Sequence, residues 1–495
     1  MDPPSASQQT TTTNPPVTQI RLLTLNCWGL IYISALRTPR LAEIGRQLAL
    51  LDPPPDIVCL QECWAQADYR AIREATAAVL PHGKFYHSGA FGGGLALLSR
   101  WPIEASSMFR YPLNGRPTAF WRGDWYVGKG VACASVRFGP GDKDVIEVFN
   151  THTHAPYERP PNDTYLCHRT AQAWEIAKLL RAASLTGRLV VALGDFNMTP
   201  RSLPHRIITA RSPLRDTWRV LHPDSSLGTA DDPAEKARGL PVPTARFNLE
   251  VNGSTSDGVY NTWRWAKPAR ERLRTEPCPV DPDSPDPRGK RLDYVFASTG
   301  PLPPDARNNK PGAPPRGWVV HSASVEMTQR HPELNVSLSD HFAAMATLKF
   351  HEISPSSPNP ILDAQLLPPP PEGKEDPESA SLSLSDYDEI LAMTREYMAR
   401  EVRQRYWRGV HFFASVLVWL GCLVAVWFSP RNFVAFILML VASLGLTTGV
   451  VDGLLALLFF WSEIRALREF EWEIQTARAL ASSEHIASKS AVDLI

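Results

Sequence analysis

Two uncharged apolar runs near the end of the sequence constrain this 495-residue chain more than any other feature. Residues 410–428 and 433–451 are each 19 residues long and contain no Asp, Glu, Lys or Arg. In hydrocarbon, a segment must satisfy its own backbone hydrogen bonds, so runs of this length are expected as helices that cross a bilayer. Only Ser429-Pro430-Arg431-Asn432 separates them, which makes a helical hairpin, and the second span is expected to continue to Trp461. Arg395, Arg400, Arg403, Arg405 and Arg408 precede the hairpin, and Arg465, Arg468 and Arg478 follow it, whereas the turn carries only Arg431. The positive-inside rule then puts both flanks on the cytosolic side.

The rest of the chain divides by composition. Residues 1–18 are polar, Thr-rich and Pro-rich, without the apolar stretch of a secretory signal, and are expected as a disordered tail. Residues 19–350 read as one large α/β domain. Short apolar runs at 20–26, 56–61, 94–99, 130–137, 144–151, 188–194, 292–297 and 344–350 predict strands. Helical spacing over 40–51 and 165–183 places helices between them. Many strands with interspersed helices favour two packed sheets with helices outside. Residues 351–385 turn Ser-Pro-rich and then acidic and predict a disordered linker; 386–409 predict a juxtamembrane helix, and 462–495 a cytosolic tail. Formal net charge is zero, which argues against holding nucleic acid by neutralising its phosphates, and no nucleic-acid partner is expected. Seven cysteines without a CxxC pair suggest buried thiols and a reducing compartment.

The chemistry sits where apolar runs end. Leu23-Thr24-Leu25 leads into Asn26; Ile57-Val58-Cys59-Leu60 into Gln61-Glu62; Val148-Phe149 into Asn150-Thr151-His152; and Leu189-Val190-Val191-Ala192-Leu193 into Gly194-Asp195-Phe196-Asn197. Asp293 opens another strand, and Ser339-Asp340-His341 closes the set. Strand ends that present Asn, Glu, His and Asp together suit metal-assisted hydrolysis of a phosphoester. Glu62 is a hard oxygen ligand suited to Mg²⁺, and Asn26 is a neutral ligand or a phosphate-positioning group. Asp195 can hold a water or the metal, and the Asn197 amide can donate to a phosphoryl oxygen. His341 is the candidate general base, with Asp293 favoured over Asp340 as its orienting carboxylate and Asp340 as metal or outer support. His152 is the candidate at the leaving oxygen, while His154 reads as structural. Nucleotide P-loop, GxSxG and HExxH patterns are absent from the sequence.

In this order, these islands resemble the endonuclease/exonuclease/phosphatase superfamily over roughly residues 19–350. That resemblance implies a DNase I-like, four-layered α/β sandwich. Gly123-Asp124-Trp125-Tyr126-Val127-Gly128-Lys129-Gly130 resembles a P-loop-like segment of the neutral sphingomyelinase and inositol phosphosphingolipid phospholipase C branch. The segment from Asn150 to Tyr157, then Tyr165, His168, Arg169 and Gln172, resembles the same branch, as does the hairpin. The resemblance implies Mg²⁺ at Glu62 with Asn26 nearby, phosphate contacts from Asp195 and Asn197, His152 at the reacting group and His341 as base. It also implies an essential 124–129 segment, with Asp124 and Lys129 paired as a switch or meeting the headgroup. Trp121, Trp125 and Tyr126 are then expected at the membrane interface. The implied partners are a membrane phosphosphingolipid substrate and activating anionic phospholipids, and the implied setting is the endoplasmic reticulum or mitochondrial membrane. The expected function is therefore a membrane-bound Mg²⁺-dependent phospholipase C that releases ceramide. A membrane-tethered nuclease or phosphoinositide phosphatase is the alternative, and a non-enzymatic scaffold a third.

Overall fold

Among the described residues, thirteen strands make two sheets. They are β1 (Gln19–Asn26), β2 (Ile57–Gln61), β3 (His82–Phe85), β4 (Ala96–Ser99), β5 (Ile103–Arg110), β6 (Gly130–Arg137), β7 (Val145–His152), β8 (Leu189–Asp195), β9 (Arg215–Asp216), β10 (Asp293–Ala297), β11 (Gly300–Pro301), β12 (Arg316–Glu326) and β13 (Ala343–Glu352). The structure, a computed structural model, describes residues 16–492 apart from 159–162, 164, 274, 277, 303–313 and 368–380, with side chains to residue 483. One sheet has the order β11-β12-β13-β1-β2-β4-β3, the other β5-β6-β7-β8-β10-β9. Helices α1 (Arg37–Leu50) and α2 (Gln66–Thr76) cover the first sheet. After a single helical turn, α3 (Asp124–Val127), helix α4 (Leu166–Ser184) covers the second. This is the four-layered α/β sandwich expected from the sequence.

Side-chain alternation explains why the central strands are apolar throughout. Ile20 and Leu22 of β1, Ile57 and Cys59 of β2, Val148 of β7, Val191 and Leu193 of β8, and Val295 of β10 fill the space between the sheets. Leu23, Leu25, Val58 and Leu60 face the other way, onto α1 and α2. Strands buried on both faces read as unbroken runs, and each of the eight expected strands is present. The strands that the apolar runs did not predict are β3, β5, β9, β11 and β12: short pieces, an exposed edge in β5, and a partly exposed Ser-rich stretch in β12.

Helix Leu384–Trp427 is continuous for 44 residues, and Asn432–Ser483 is the second helix long and apolar enough to cross a membrane. Ser383 and Asp386 form a reciprocal cap at the start of the first. The parts of these helices outside the apolar runs dock on the sandwich: Tyr387, Ile390, Leu391, Leu467, Phe470 and Ile474 join the core under α4. The linker expectation needs one correction. Residues 353–367 pack, because Asn359 caps the helix Pro360–Asp363, Leu362 and Leu366 bury against Val319, and Gln365 bonds both backbone groups of Val320. Residues 368–380 of the expected linker and 1–15 of the expected tail lie outside the described residues.

Candidate active site

The candidate site is the polar end of the inter-sheet layer. On β7, the inward face runs Val148, Asn150, His152; on β8 it runs Val191, Leu193, Asp195; on β10 it starts at Asp293. Register aligns the three strand ends, with His152 opposite Asp195 in a parallel pair and Asp293 opposite Asp195 in an antiparallel one. Gly194 permits this approach: a Cβ there would stand 2.0 Å from the Thr151 carbonyl oxygen, at φ +154°. Across the gap, β1 and β2 end together at Asn26 and Gln61.

One polar layer lies beneath the site. Gln61 Nε2 donates to Asn150 Oδ1 at 2.8 Å, and Asn150 Nδ2 donates to the carbonyls of Leu60 (3.1 Å) and Ala96 (2.9 Å). Asn150 therefore pins one sheet to the other, with its amide satisfied by protein.

Above it the expected residues converge. Asn26 Nδ2 donates to Asp195 Oδ2 at 3.0 Å and to Glu62 Oε1 at 3.2 Å, which joins carboxylates carried by different sheets. Its own Oδ1 accepts from the Trp28 backbone N–H at 2.9 Å. Asp195 Oδ1 accepts from the Asn197 N–H at 3.0 Å. His341 Nδ1 bonds Asp293 Oδ2 at 2.8 Å, and its Nε2 is 3.9 Å from Asp195 Oδ2. Thr255 Oγ1 donates to the same Asp293 oxygen at 2.6 Å. Asp340 stands at the rim, with Oδ2 3.8 Å from Arg264. Trp28, Glu62 and Asn197 all have positive φ (+47°, +51° and +45°), so three strands leave the sheets through left-handed residues. Asn tolerates this conformation; for Glu it is a local cost held in place by its surroundings.

On the other flank, Lys129 Nζ lies 3.2 Å from His152 Nε2, donates to the Thr153 carbonyl at 3.0 Å and is 3.6 Å from Asp124 Oδ1. The ammonium has only protons to offer, so His152 Nε2 accepts. Asp124 in turn accepts from Tyr157 at 2.7 Å and lies 3.4 Å from His154, which stacks on Tyr165. Trp125 packs on Phe459 of the second apolar helix with ring centroids 4.3 Å apart. Beside it, Phe120 and Trp121 are exposed.

The two histidines are held in opposite states. Burial works against a proton on His341, but Asp293, Asp195 and Asp340 outweigh it and carry its pKa up to about 10. Burial pushes His152 well below 6.5, and Lys129 and His341 add to that. Burial, then Asp340, pushes Glu62 up to about 7 against the pull of Lys129. Glu62 Oε2 is enclosed and has no hydrogen-bond partner among the described residues. A carboxylate oxygen left without a donor in an enclosed acidic site fits a hard divalent cation. Asp195, Asp293 and His341 also bring donor atoms within 4.8 Å of one another, but the His341–Asp293 bond already occupies part of that set.

Sequence reasoning missed two contributors here. Thr255 comes from residues 221–290, a Pro-, Gly- and Asp-rich insertion between β9 and β10, where only a Ser-Thr-Ser-Asp cluster marks it. Buried Arg40 donates to the carbonyls of Ala35, Cys27, Trp28 and Leu338, tying the segment after β1 to the segment before β13. An arginine on a helix gives no such signal in sequence.

The profile of the endonuclease/exonuclease/phosphatase family matches residues 23–341. The chain belongs to this family. Its members are divalent-metal-dependent hydrolases. Within the family, the chain is 38% identical over 469 residues to the inositol phosphosphingolipids phospholipase C of Schizosaccharomyces pombe, covering 93% of this chain and 95% of that one. It is 32% identical over 481 residues to the protein of the same name from Saccharomyces cerevisiae, covering 92% and 90%. It is 30% identical over 343 residues to human sphingomyelin phosphodiesterase 2, covering 69% and 67%. The chain is thus a member of the phosphodiesterase branch that acts on phosphosphingolipids, with two helices of membrane-crossing length.

Proposed function

We propose that this protein is a membrane-bound, Mg²⁺-dependent phospholipase C that hydrolyses phosphosphingolipids to ceramide and a phosphorylated headgroup. The observation that carries this reading over a nuclease is the Trp125–Phe459 contact, which joins the segment beside His152 directly to an apolar helix. The hydrolytic centre then stands at the bilayer surface with the sandwich in the cytosol, and the tether raises the effective concentration of a lipid substrate.

Glu62 and its unpartnered oxygen would hold the metal, with Asn26 orienting that carboxylate and Asp340 supporting it from the rim. When bound, Mg²⁺ neutralises charge on the phosphodiester and on the departing alkoxide. Asp293, steadied by Thr255, fixes the His341 ring through Nδ1 and leaves Nε2 facing the site. His341 acts as base from its neutral form: Nε2 takes the proton of the attacking water as the new P–O bond forms. Asp195 and the Asn197 amide set the phosphoryl oxygens. The bond from phosphorus to the ceramide oxygen breaks on the His152 flank. There Lys129 gives the proton to the departing oxygen, and His152, whose Nε2 accepts from Lys129, holds that ammonium at the reacting group. Asp124 holds Lys129, and anionic phospholipids act as activators through the juxtamembrane arginines.

Ceramide release from inositol phosphorylceramide and from sphingomyelin, by intact protein in detergent with Mg²⁺, tests the reading. Turnover of at least one is expected; turnover of neither rejects it.

A further inference from the structure

Behind α4, the two helices that enter the membrane each bury a glutamate. Glu401 lies on Leu384–Trp427 and Glu463 on Asn432–Ser483, both outside the apolar runs and both enclosed by protein. Each has an Oε2 with no donor among the described residues, and the two carboxyls are within hydrogen-bonding reach of each other. Two acceptors that meet in an enclosed site are satisfied together by a proton between them. The other oxygens are taken: Arg400 donates to Glu401 Oε1, and the Tyr397 hydroxyl donates to Glu463 Oε1 at 2.9 Å.

From this pair a path leads to Lys129. His168 Nε2, on α4, stands 3.1 Å from the Gly115 carbonyl oxygen, 3.3 Å from the Tyr397 hydroxyl and 3.5 Å from Glu463 Oε1. All three can accept, so Nε2 carries the proton of the ring, which burial and Arg116 keep neutral by pushing it down to about 4. Gly115 has φ +80°, and a Cβ there would stand 2.8 Å from Asp124 Cβ, so the chain at Gly115 lies directly on the residue that holds Lys129. Phe459, one turn before Glu463, touches Trp125, so the same helix reaches the 115–129 segment at two points.

We propose that Glu401 and Glu463 are positioning residues that share one proton, and that this proton keeps the His168 Nε2–H on the Gly115 carbonyl and thereby keeps Lys129 at the reacting group. The assignment rests on the reading of Lys129 as the proton donor to the departing oxygen. With the proton in place the pair carries one negative charge. Without it both acids are full carboxylates, Glu463 competes with Gly115 for the Nε2–H, and the segment that carries Asp124 is released. Burial pushes Glu463 up to about 7 and Glu401 up to about 8, with the Glu463 charge adding to the second shift and Arg400 opposing it. The pair therefore holds its proton near neutral pH and gives it up just above. Packed against it are Arg400 and Tyr397 on the first helix, Arg116 in the β5–β6 connection, and Cys167 and His168 on α4. Arginine stays charged throughout, burial holds Tyr397 and Cys167 high and His168 low, and so none of these titrates in the same window.

Turnover of inositol phosphorylceramide and sphingomyelin by the full chain in detergent, and hydrogen exchange of residues 115–129, test this as a function of pH. Glu401→Gln fixes the pair in its one-charge state, because the amide donates to Glu463 while its oxygen still accepts from Arg400. Its kcat is expected to equal that of wild type near pH ~7 and to exceed it about fivefold near pH ~9, with KM unchanged. At the higher pH, residues 115–129 are expected to exchange about fivefold faster in wild type than in the variant, and at the lower pH equally fast. Glu463→Gln should reproduce both results. In His168→Ala the route to Gly115 is cut, so adding Glu401→Gln should change nothing. Identical pH profiles in wild type and Glu401→Gln overturn the proposal, as does a Glu401→Gln effect that persists in His168→Ala. If neither lipid is turned over yet the exchange difference appears at the higher pH and depends on His168, the shared proton stands and the phospholipase reading fails.

Discussion

The two flanks of the site each hold a buried histidine, and their neighbours set the two in opposite protonation states. His341 lies among Asp293, Asp195 and Asp340 and is raised to about 10. His152, two strands away, faces the Lys129 ammonium and is pushed well below its usual value. The same side chain at similar burial thus becomes a proton holder on one flank and a neutral acceptor on the other. Environment, not residue type, sets the resting charge on each flank, and His341 has to release its proton before it can serve as base. The flanks differ in surroundings too: the His341 side is enclosed by the ion pairs of the insertion, the His152 side by aromatics that reach an apolar helix.

Removing His341 should break the comparison most severely. His341→Ala is expected to cut ceramide release by ~10²–10⁴-fold while membrane insertion, followed by carbonate extraction, is unchanged. Activity within tenfold of wild type would refute its role as base. Glu62→Gln comes next, with a loss of roughly 10²-fold or more and no recovery at saturating Mg²⁺. Recovery at high Mg²⁺ would mean that Glu62 only tunes metal affinity.

The pH dependence of stability separates the flanks in chelator-treated protein. A group raised in the folded state contributes fully below its unfolded value, near 6.5, and loses that contribution as pH climbs through about 10. His341 should therefore make Tm fall between pH 6.5 and 10. A depressed group acts in reverse: below pH 6.5 only the unfolded chain takes the proton, so His152 should make Tm fall as pH drops. Asp293→Asn is expected to flatten the alkaline fall and leave the acidic one. If both persist unchanged, the carboxylates do not set the state of His341.

How much of this was legible follows from where each residue gets its position. Glu62, His152 and Asp195 sit at the ends of strands that are apolar because both faces are buried, so the runs themselves point to them. Even the pairing of His152, Asp195 and Asp293 needs only strand register to be set. Thr255, Asp257 and Lys290 have no such support. Their place comes from a backbone ladder with residue 341, formed by segments that look like loop in sequence. Residues 353–367 were misread for a related reason: two leucines and a cap suffice to pack a Ser-Pro-rich stretch once β12 offers a surface.

Thr255 gives a finer test of the His341 flank. Thr255→Val keeps the shape and removes the 2.6 Å bond to Asp293, so a loss in kcat of about tenfold is expected, with the ascending limb of the pH–rate profile, which the base governs, displaced. A change in KM alone would mean that Thr255 does not support the His341–Asp293 pair.

Trp125 offers the smallest effect and the sharpest view of the His152 flank. Its ring packs on Phe459 at 4.3 Å, and an aromatic pair of this kind contributes ~1 kcal/mol beyond its buried area. If that contact only stabilises the chain, Trp125→Ala should lower Tm slightly and reduce turnover equally in vesicles and in detergent micelles. If it aligns the 124–129 segment with the bilayer, turnover should fall about fivefold in vesicles and hardly at all in micelles, where no planar surface has to be matched. Phe459→Ala should then reproduce the vesicle defect, and the double variant should add little to either, because both remove one contact. Additive losses would separate the helix from the site and leave the two flanks distinguished by charge alone.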